Sequence, residues 1–156
     1  MKAEIGISEN DSKKVSKLLT EILSDAMVLL VKTKNFHWNI TGQNFSELHA
    51  FFQSQYAEIE KATDDIAERI RSLGYPAIGA MKEFLNHASI KECKEANLKA
   101  RDMLKELVSD HESIIKKLRE AVDDTAGKYK DAGTSDFLTG LLQQHEKMAW
   151  MTRSYL

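Results

Sequence analysis

The chain has 156 residues, 42% of them hydrophobic and 29% charged, with a formal net charge of −2. That length supports one domain with a full core and no disulfide staples, and the near-neutral charge argues against a general electrostatic affinity for nucleic acid while leaving room for a local basic patch. A lone Cys93 fits a reducing compartment, no apolar leader follows Met1, and the longest apolar run, Ala26 to Val31, is too short to span a bilayer, so a cytoplasmic, non-membrane protein is expected.

After a short tail over 1–11, Val15, Leu18, Leu19, Ile22, Ala26, Leu29 and Leu30 recur at helical spacing, with Lys13, Lys14, Lys17 and Glu21 on the other side. The first helix is expected over about 12–40, and Gly42 stops it. Ser46 and Glu47 offer a start signal for a second helix over 46–73, whose stripe of Leu48, Phe52, Tyr56, Ile59, Ala62, Ile66 and Ile70 runs until Gly74 and Pro76. Residues 75–95 are less regular, with a short helix at Ala80 to His87. A third helix is expected from near Asn97 to about Thr125, then a polar connection bracketed by Gly127 and Gly133. Thr134 or Ser135 is placed to cap a fourth, with Phe137, Leu138, Leu141, Leu142, His145 and Met148 facing inward. Nothing alternates with period two. The pattern describes an all-α, ferritin-like four-helix bundle in one domain over 1–156, with a short crossover helix between the second and third helices.

The chemistry concentrates in four residues. His37 closes the first helix and His49 opens the second, so an antiparallel hairpin brings both imidazoles to one end. Asp64 and Glu68, one turn apart, share a face toward the other end. At ~1.5 Å rise per residue, His49 and Asp64 lie roughly 22 Å apart, beyond any shared coordination sphere. No single chain closes a site from all four. A second copy, laid antiparallel across a two-fold axis, would set its carboxylates against the first chain's histidines and create two equivalent sites, with Tyr56 and Ala57 nearest the axis.

Imidazole and carboxylate form a donor set suited to Fe, Mn or Zn, and without paired thiolates a structural zinc site is disfavoured; iron leads. An in-bundle di-iron centre needs Glu-x-x-His, and the residues three before each histidine are Lys34, Ser46, Phe84, Val108 and Leu142. Taken singly, each residue has an ordinary reading. His37 suits a helix C-terminus, and Asp64 and Glu68 have Lys61, Arg69 and Arg71 nearby for exposed ion pairs.

The run Lys34-Asn35-Phe36-His37-Trp38, then Gly42, Phe45, Leu48-His49, Phe52, Tyr56 and Asp64-Asp65-Ile66-Ala67-Glu68-Arg69-Ile70, closely resembles the signature of the Dps family. These are miniferritins named as DNA-binding proteins from starved cells. The resemblance extends to His145-Glu146-Lys147 and Trp150 in the last helix. It implies a hollow dodecamer built from two-fold dimers, with catalytic, metal-binding His37 and His49 from one subunit and Asp64 and Glu68 from its partner. The implied reaction is ferroxidation: Fe(II) becomes Fe(III), with hydrogen peroxide preferred over dioxygen, and the mineral is stored inside the shell, protecting the cell from oxidative stress. Two irons per site are expected, the second weakly held, with Glu68 as the natural bridge. Lys34 is placed to hold a water or neutralise charge beside the site, and Trp38 to intercept stray oxidising equivalents. Some family members carry an acidic residue four positions after the second histidine, where this chain has Gln53.

For iron entry, the resemblance places acidic three-fold pores at the connection bearing Asp123, Asp124, Asp131 and Asp136, and Asp131 and Asp136 are the expected lining. His87, His111 and His145 receive no role. The competing function is a nonspecific DNA-binding, nucleoid-compacting protein. The tail supports that poorly, offering Lys2 against Glu4, Glu9 and Asp11, although Lys13, Lys14 and Lys17 could form a small surface patch.

Overall fold

The computed structural model describes residues 3–95 and 97–156; Met1 and Lys2, which begin the expected tail, lie outside the described residues. Helix α1 spans Glu9–Asn39 and starts earlier than the apolar stripe alone indicates, because the Ser8 hydroxyl accepts from the Asp11 amide at 3.1 Å. Glu9 and Asp11 add negative charge at the positive end of the helix. The chain leaves α1 through extended Ile40 and reverses at Gly42, whose φ of 110° a side chain rarely tolerates.

Helix α2 spans Phe45–Ser72. The expected start signal at Ser46 lies inside this helix: Phe45 N already bonds the Gly42 carbonyl at 3.2 Å, so turn geometry rather than a side-chain cap begins it. At the far end Gly74 adopts φ 92°, its amide reaches the Arg71 carbonyl at 3.0 Å, and the expected glycine stop is what the structure shows. Helix α3, Met81–His87, is the short crossover helix. Helix α4 spans Ala100–Asp123, starting a little after the expected Asn97, and the stretch where a helix end near Thr125 and a polar connection are expected is a π-helical turn over Asp124–Lys128. The Thr125 hydroxyl bonds back to the Ala121 carbonyl at 2.7 Å, which competes with the ordinary ladder and loosens the last turn. Lys130, at φ 56°, ends it.

Helix α5 spans Ala132–Arg153, and its cap is neither Thr134 nor Ser135 but Asp131, whose carboxylate accepts from Thr134 N at 2.9 Å. An aspartate three residues before Thr134 outcompetes the hydroxyls because a carboxylate acceptor makes the stronger bond to the exposed amides.

α1 packs along α2, α4 along α5, and the hairpins meet through α1 against α4, with α3 laid on α1. Phe36, Phe52, Leu19, Leu29, Ile59, Leu107, Leu118 and Leu138 fill the space between them. Each such side chain contributes about 1.5–3 kcal/mol by leaving water. The crossover is fixed by a buried carboxylate: Asp25 accepts from Ser89 N at 2.5 Å, Ser89 Oγ at 2.9 Å and Ile90 N at 3.2 Å, and pairs with Lys117 of α4. A second polar tie joins Lys32 of α1 to Asp110 of α4 at 2.7 Å. Burial pushes the Asp110 carboxyl above its ordinary value, and the Lys32 ammonium works against that shift. The expected four-helix bundle with one crossover helix is therefore the architecture found.

Candidate metal centre

His37 sits in the last turn of α1 and His49 in the second turn of α2, and the Gly42 reversal stacks their rings with centroids 3.7 Å apart and planes 24° from parallel. The hydrogen bonding is reciprocal. His37 Nδ1 lies 2.8 Å from the His49 carbonyl, and His49 Nδ1 lies 2.9 Å from the His37 carbonyl. A carbonyl only accepts, so each Nδ1 carries the proton and donates it. In the neutral ring each Nε2 then keeps a lone pair, and the carbonyl bond both orients the ring and raises its basicity as a ligand. Phe45 leans on His49 with centroids 5.1 Å apart, and the Tyr56 ring meets His37 edge-on at 5.3 Å. His37 is buried and His49 half-buried.

Asp64 and Glu68 are exposed on α2, one turn apart, and neither makes an ion pair or hydrogen bond through its carboxylate with other described residues. At 100° per residue, His49, Gln53, Ala57, Glu60, Asp64 and Glu68 all fall within an arc of about 100°. This arc lies away from buried Leu48, Phe52, Ile59 and Ile66, and its members are exposed or half-exposed in the protomer. Beside it runs a groove of about 550 Å³ whose walls include Leu23, Met27, Ala57, Asp64, Ile78 and Phe84. Among the described residues of one chain, no three histidines, cysteines or carboxylates gather closely enough to hold a metal ion.

Lys34, one turn before His37, bonds Glu60 at 2.9 Å and lies 5.1 Å from the centre of the Tyr56 ring. Trp38 is 67% exposed. The residues chosen for a pore part company: Asp136 is exposed in the second turn of α5, whereas Asp131 is only 2% exposed. Asp131 accepts from Thr134 N, from Thr134 Oγ1 at 2.5 Å and from Arg69 at 3.0 Å, so its oxygens serve the helix cap and not an open channel.

Sequence reasoning missed Arg69 as a brace. Its guanidinium also reaches Thr134 Oγ1 at 2.9 Å, tying the carboxylate-bearing end of α2 to the start of α5. A Cβ on Gly133 would come within 3.1 Å of it, so a larger residue there would displace the guanidinium by a few tenths of an ångström. The only available hint was the position of Arg69 beside Glu68. His111 and His145, given no role from sequence, form a second pair with Nδ1 atoms 3.0 Å apart and both side chains buried. Burial pushes His145 down to about 4, and burial together with neighbouring His145 pushes His111 well below its ordinary value.

A ferritin-like domain model matches residues 16–156. The chain is 42% identical over 152 residues to an uncharacterized low temperature-induced protein of a Nostoc species, covering 97% of this chain and 85% of that protein. To DNA protection during starvation protein 2 of Bacillus anthracis it is 35% identical, with 93% and 98% of the two chains covered. Among solved structures, a Dps protein from Bacillus brevis superposes with a TM-score of 0.90 at 32% identity, covering 96% of this chain and 99% of that one. The Dps protein of Vibrio cholerae, described as a member of a broad superfamily of ferritin-like diiron-carboxylate proteins, gives 0.93 at 28% identity, with 99% and 96% covered.

Proposed function

Because the chain belongs to the Dps family of ferritin-like proteins, we propose that it oxidises Fe(II) to Fe(III) at sites shared between two protomers, preferably with hydrogen peroxide, and stores the product inside a hollow dodecameric shell. One observation carries this reading. The two imidazoles are fixed with both Nε2 lone pairs free, while the unpartnered carboxylates stand on the same exposed face of the same helix, roughly 22 Å along it. Neither half is a site alone. An antiparallel copy of α2 completes both, because residues whose numbers sum to 113 then stand opposite one another and His49 meets Asp64. Ala57, near the axis, leaves room for the close approach of two helices.

The donor set suits the substrate: two neutral imidazoles and two carboxylates make a borderline-to-hard environment for Fe(II). Peroxide takes two electrons, and two ferrous ions supply one each: two Fe(II), one H2O2 and two protons give two Fe(III) and two waters. Releasing both electrons in one encounter avoids a hydroxyl radical. Glu68 is placed to bridge the two ions, with Asp64 beside one and the second more weakly held. Lys34 offsets carboxylate charge, exposed Trp38 intercepts stray oxidising equivalents, and Asp136 is the remaining choice for the entry pore. The test follows peroxide-driven Fe(II) oxidation by the native protein and by the His37→Ala, His49→Ala variant. The reading requires the variant to fall to the protein-free rate while still assembling, and equal rates refute it.

A second reading, DNA binding, draws on Lys13, Lys14 and Lys17, which are all exposed on the first turns of α1. Retention of duplex DNA that falls steeply with salt supports it, and no shift at low salt removes it.

A further inference from the structure

The ion pair between Lys34 and Glu60 links the surroundings of the histidines to the carboxylate face. Glu60 stands one turn before Asp64, so Glu60, Asp64 and Glu68 follow one another at four-residue spacing with about 6 Å of rise between neighbours. Glu60 is 58% exposed and lines the groove that also holds Asp64. Its carboxylate accepts from Lys34 Nζ at 2.9 Å. The axis that brings His49 opposite Asp64 also brings Glu60 opposite Gln53 of the second copy, since both pairs of numbers sum to 113. Gln53 is an exposed, neutral amide, so at that level of the interface the negative charge of the pair comes from Glu60.

Resting on the intersubunit reading above, we propose that Glu60 is a third carboxylate of the cation-binding face. It serves the second, weaker cation position, and Lys34 is the exchangeable counter-ion that holds it when no cation is present. An exposed ammonium–carboxylate pair contributes little in water, so a divalent cation displaces it readily. A carboxylate oxygen is a suitable donor for a hard-to-borderline divalent ion. The two ends of this pair therefore act in opposite directions: Glu60 favours the second cation and Lys34 competes with it. A salt bridge with a merely structural role behaves otherwise, since removing either end has the same effect.

Anaerobic calorimetric titration with Co(II), a probe that stays divalent under these conditions, separates the two. Glu60→Gln is expected to weaken the second binding event on the order of ten-fold or more while the first is unchanged. Lys34→Gln is expected to tighten the second event. Adding Gln53→Glu to Glu60→Gln is expected to recover it, because the carboxylate then returns at the same level from the other chain. A single event in the native protein, an unchanged second event in Glu60→Gln, or equal weakening by Glu60→Gln and Lys34→Gln each overturns the proposal. The underlying reading has its own control: both events must vanish in the His37→Ala, His49→Ala variant, and their persistence there refutes the shared site itself. Because Glu60 is exposed, its variants are expected to fold, which circular dichroism and sedimentation check.

Discussion

The molecule contains two histidine pairs in close contact, and they are wired in opposite ways. His37 and His49 each give their Nδ1 proton to a backbone carbonyl at 2.8 and 2.9 Å, which leaves both Nε2 atoms free beside the exposed face of α2. His111 and His145 turn Nδ1 toward Nδ1 at 3.0 Å, deep between α4 and α5, and His111 Nε2 is buried with no partner among the described residues. The first pair offers lone pairs at a surface. The second turns its Nδ1 atoms on each other in a place where charge is expensive. Identical side chains thus become candidate ligands or core residues according to what holds Nδ1 and how much water reaches the ring.

The sharpest way to break this contrast is to remove each pair in turn. His37→Ala with His49→Ala is expected to abolish peroxide-driven iron oxidation while shifting the unfolding midpoint only slightly. His145→Ala is expected to cost about 2–5 kcal/mol in urea unfolding, since it opens a cavity and strands buried His111, while oxidation per folded protomer stays the same. A His145 variant that lost iron oxidation with unchanged stability would reverse the assignment.

Acid sharpens the comparison further. His145 titrates near 6.5 when unfolded and about 4 when folded, so between those values the unfolded chain binds the extra proton. Stability from keeping this ring neutral is complete above about pH 6.5 and declines as pH falls toward 4, by about 3 kcal/mol for this one group. Urea midpoints at pH 7.5, 5.5 and 4 measure it, and His145→Leu should flatten the dependence across that window. Arg69→Ala is expected to cost about 2 kcal/mol, because Asp131 loses its cation while Thr134 still satisfies the cap. Gly42→Ala should cost about 1 kcal/mol, read as a small fall in melting temperature, from the positive φ alone, since an added Cβ there meets nothing within 4 Å.

What the sequence revealed depended on periodicity and punctuation. The stripe from Leu48 to Ile70 set the length of α2, Gly42 and Gly74 marked its limits, and the offset from His49 to Asp64 and Glu68 already set the histidines and the carboxylates far apart along one helix. Features set by local competition for hydrogen bonds were not legible. Asp131 is expected from sequence to line a pore, and nothing in its neighbours announces that it caps α5 and receives Arg69 from a helix more than sixty residues away. The π-helical turn after Asp123 depends on where the Thr125 hydroxyl bonds, which apolar patterning does not encode. His111 and His145 meet only because α4 and α5 are antiparallel at one register, and the Lys34–Glu60 pair likewise emerges from the depth at which α1 lies along α2.

The central claim is that one protomer supplies imidazoles and the other carboxylates. A chain bearing His37→Ala and His49→Ala, inactive by itself, is co-assembled with an equally inactive chain bearing Asp64→Ala and Glu68→Ala, and peroxide-driven Fe(II) oxidation is measured on the mixed assembly. In a mixed dimer one of the two sites receives all four native residues, so partial recovery of activity is predicted. Mixed assemblies as inactive as either parent, despite verified subunit exchange, would contradict the account.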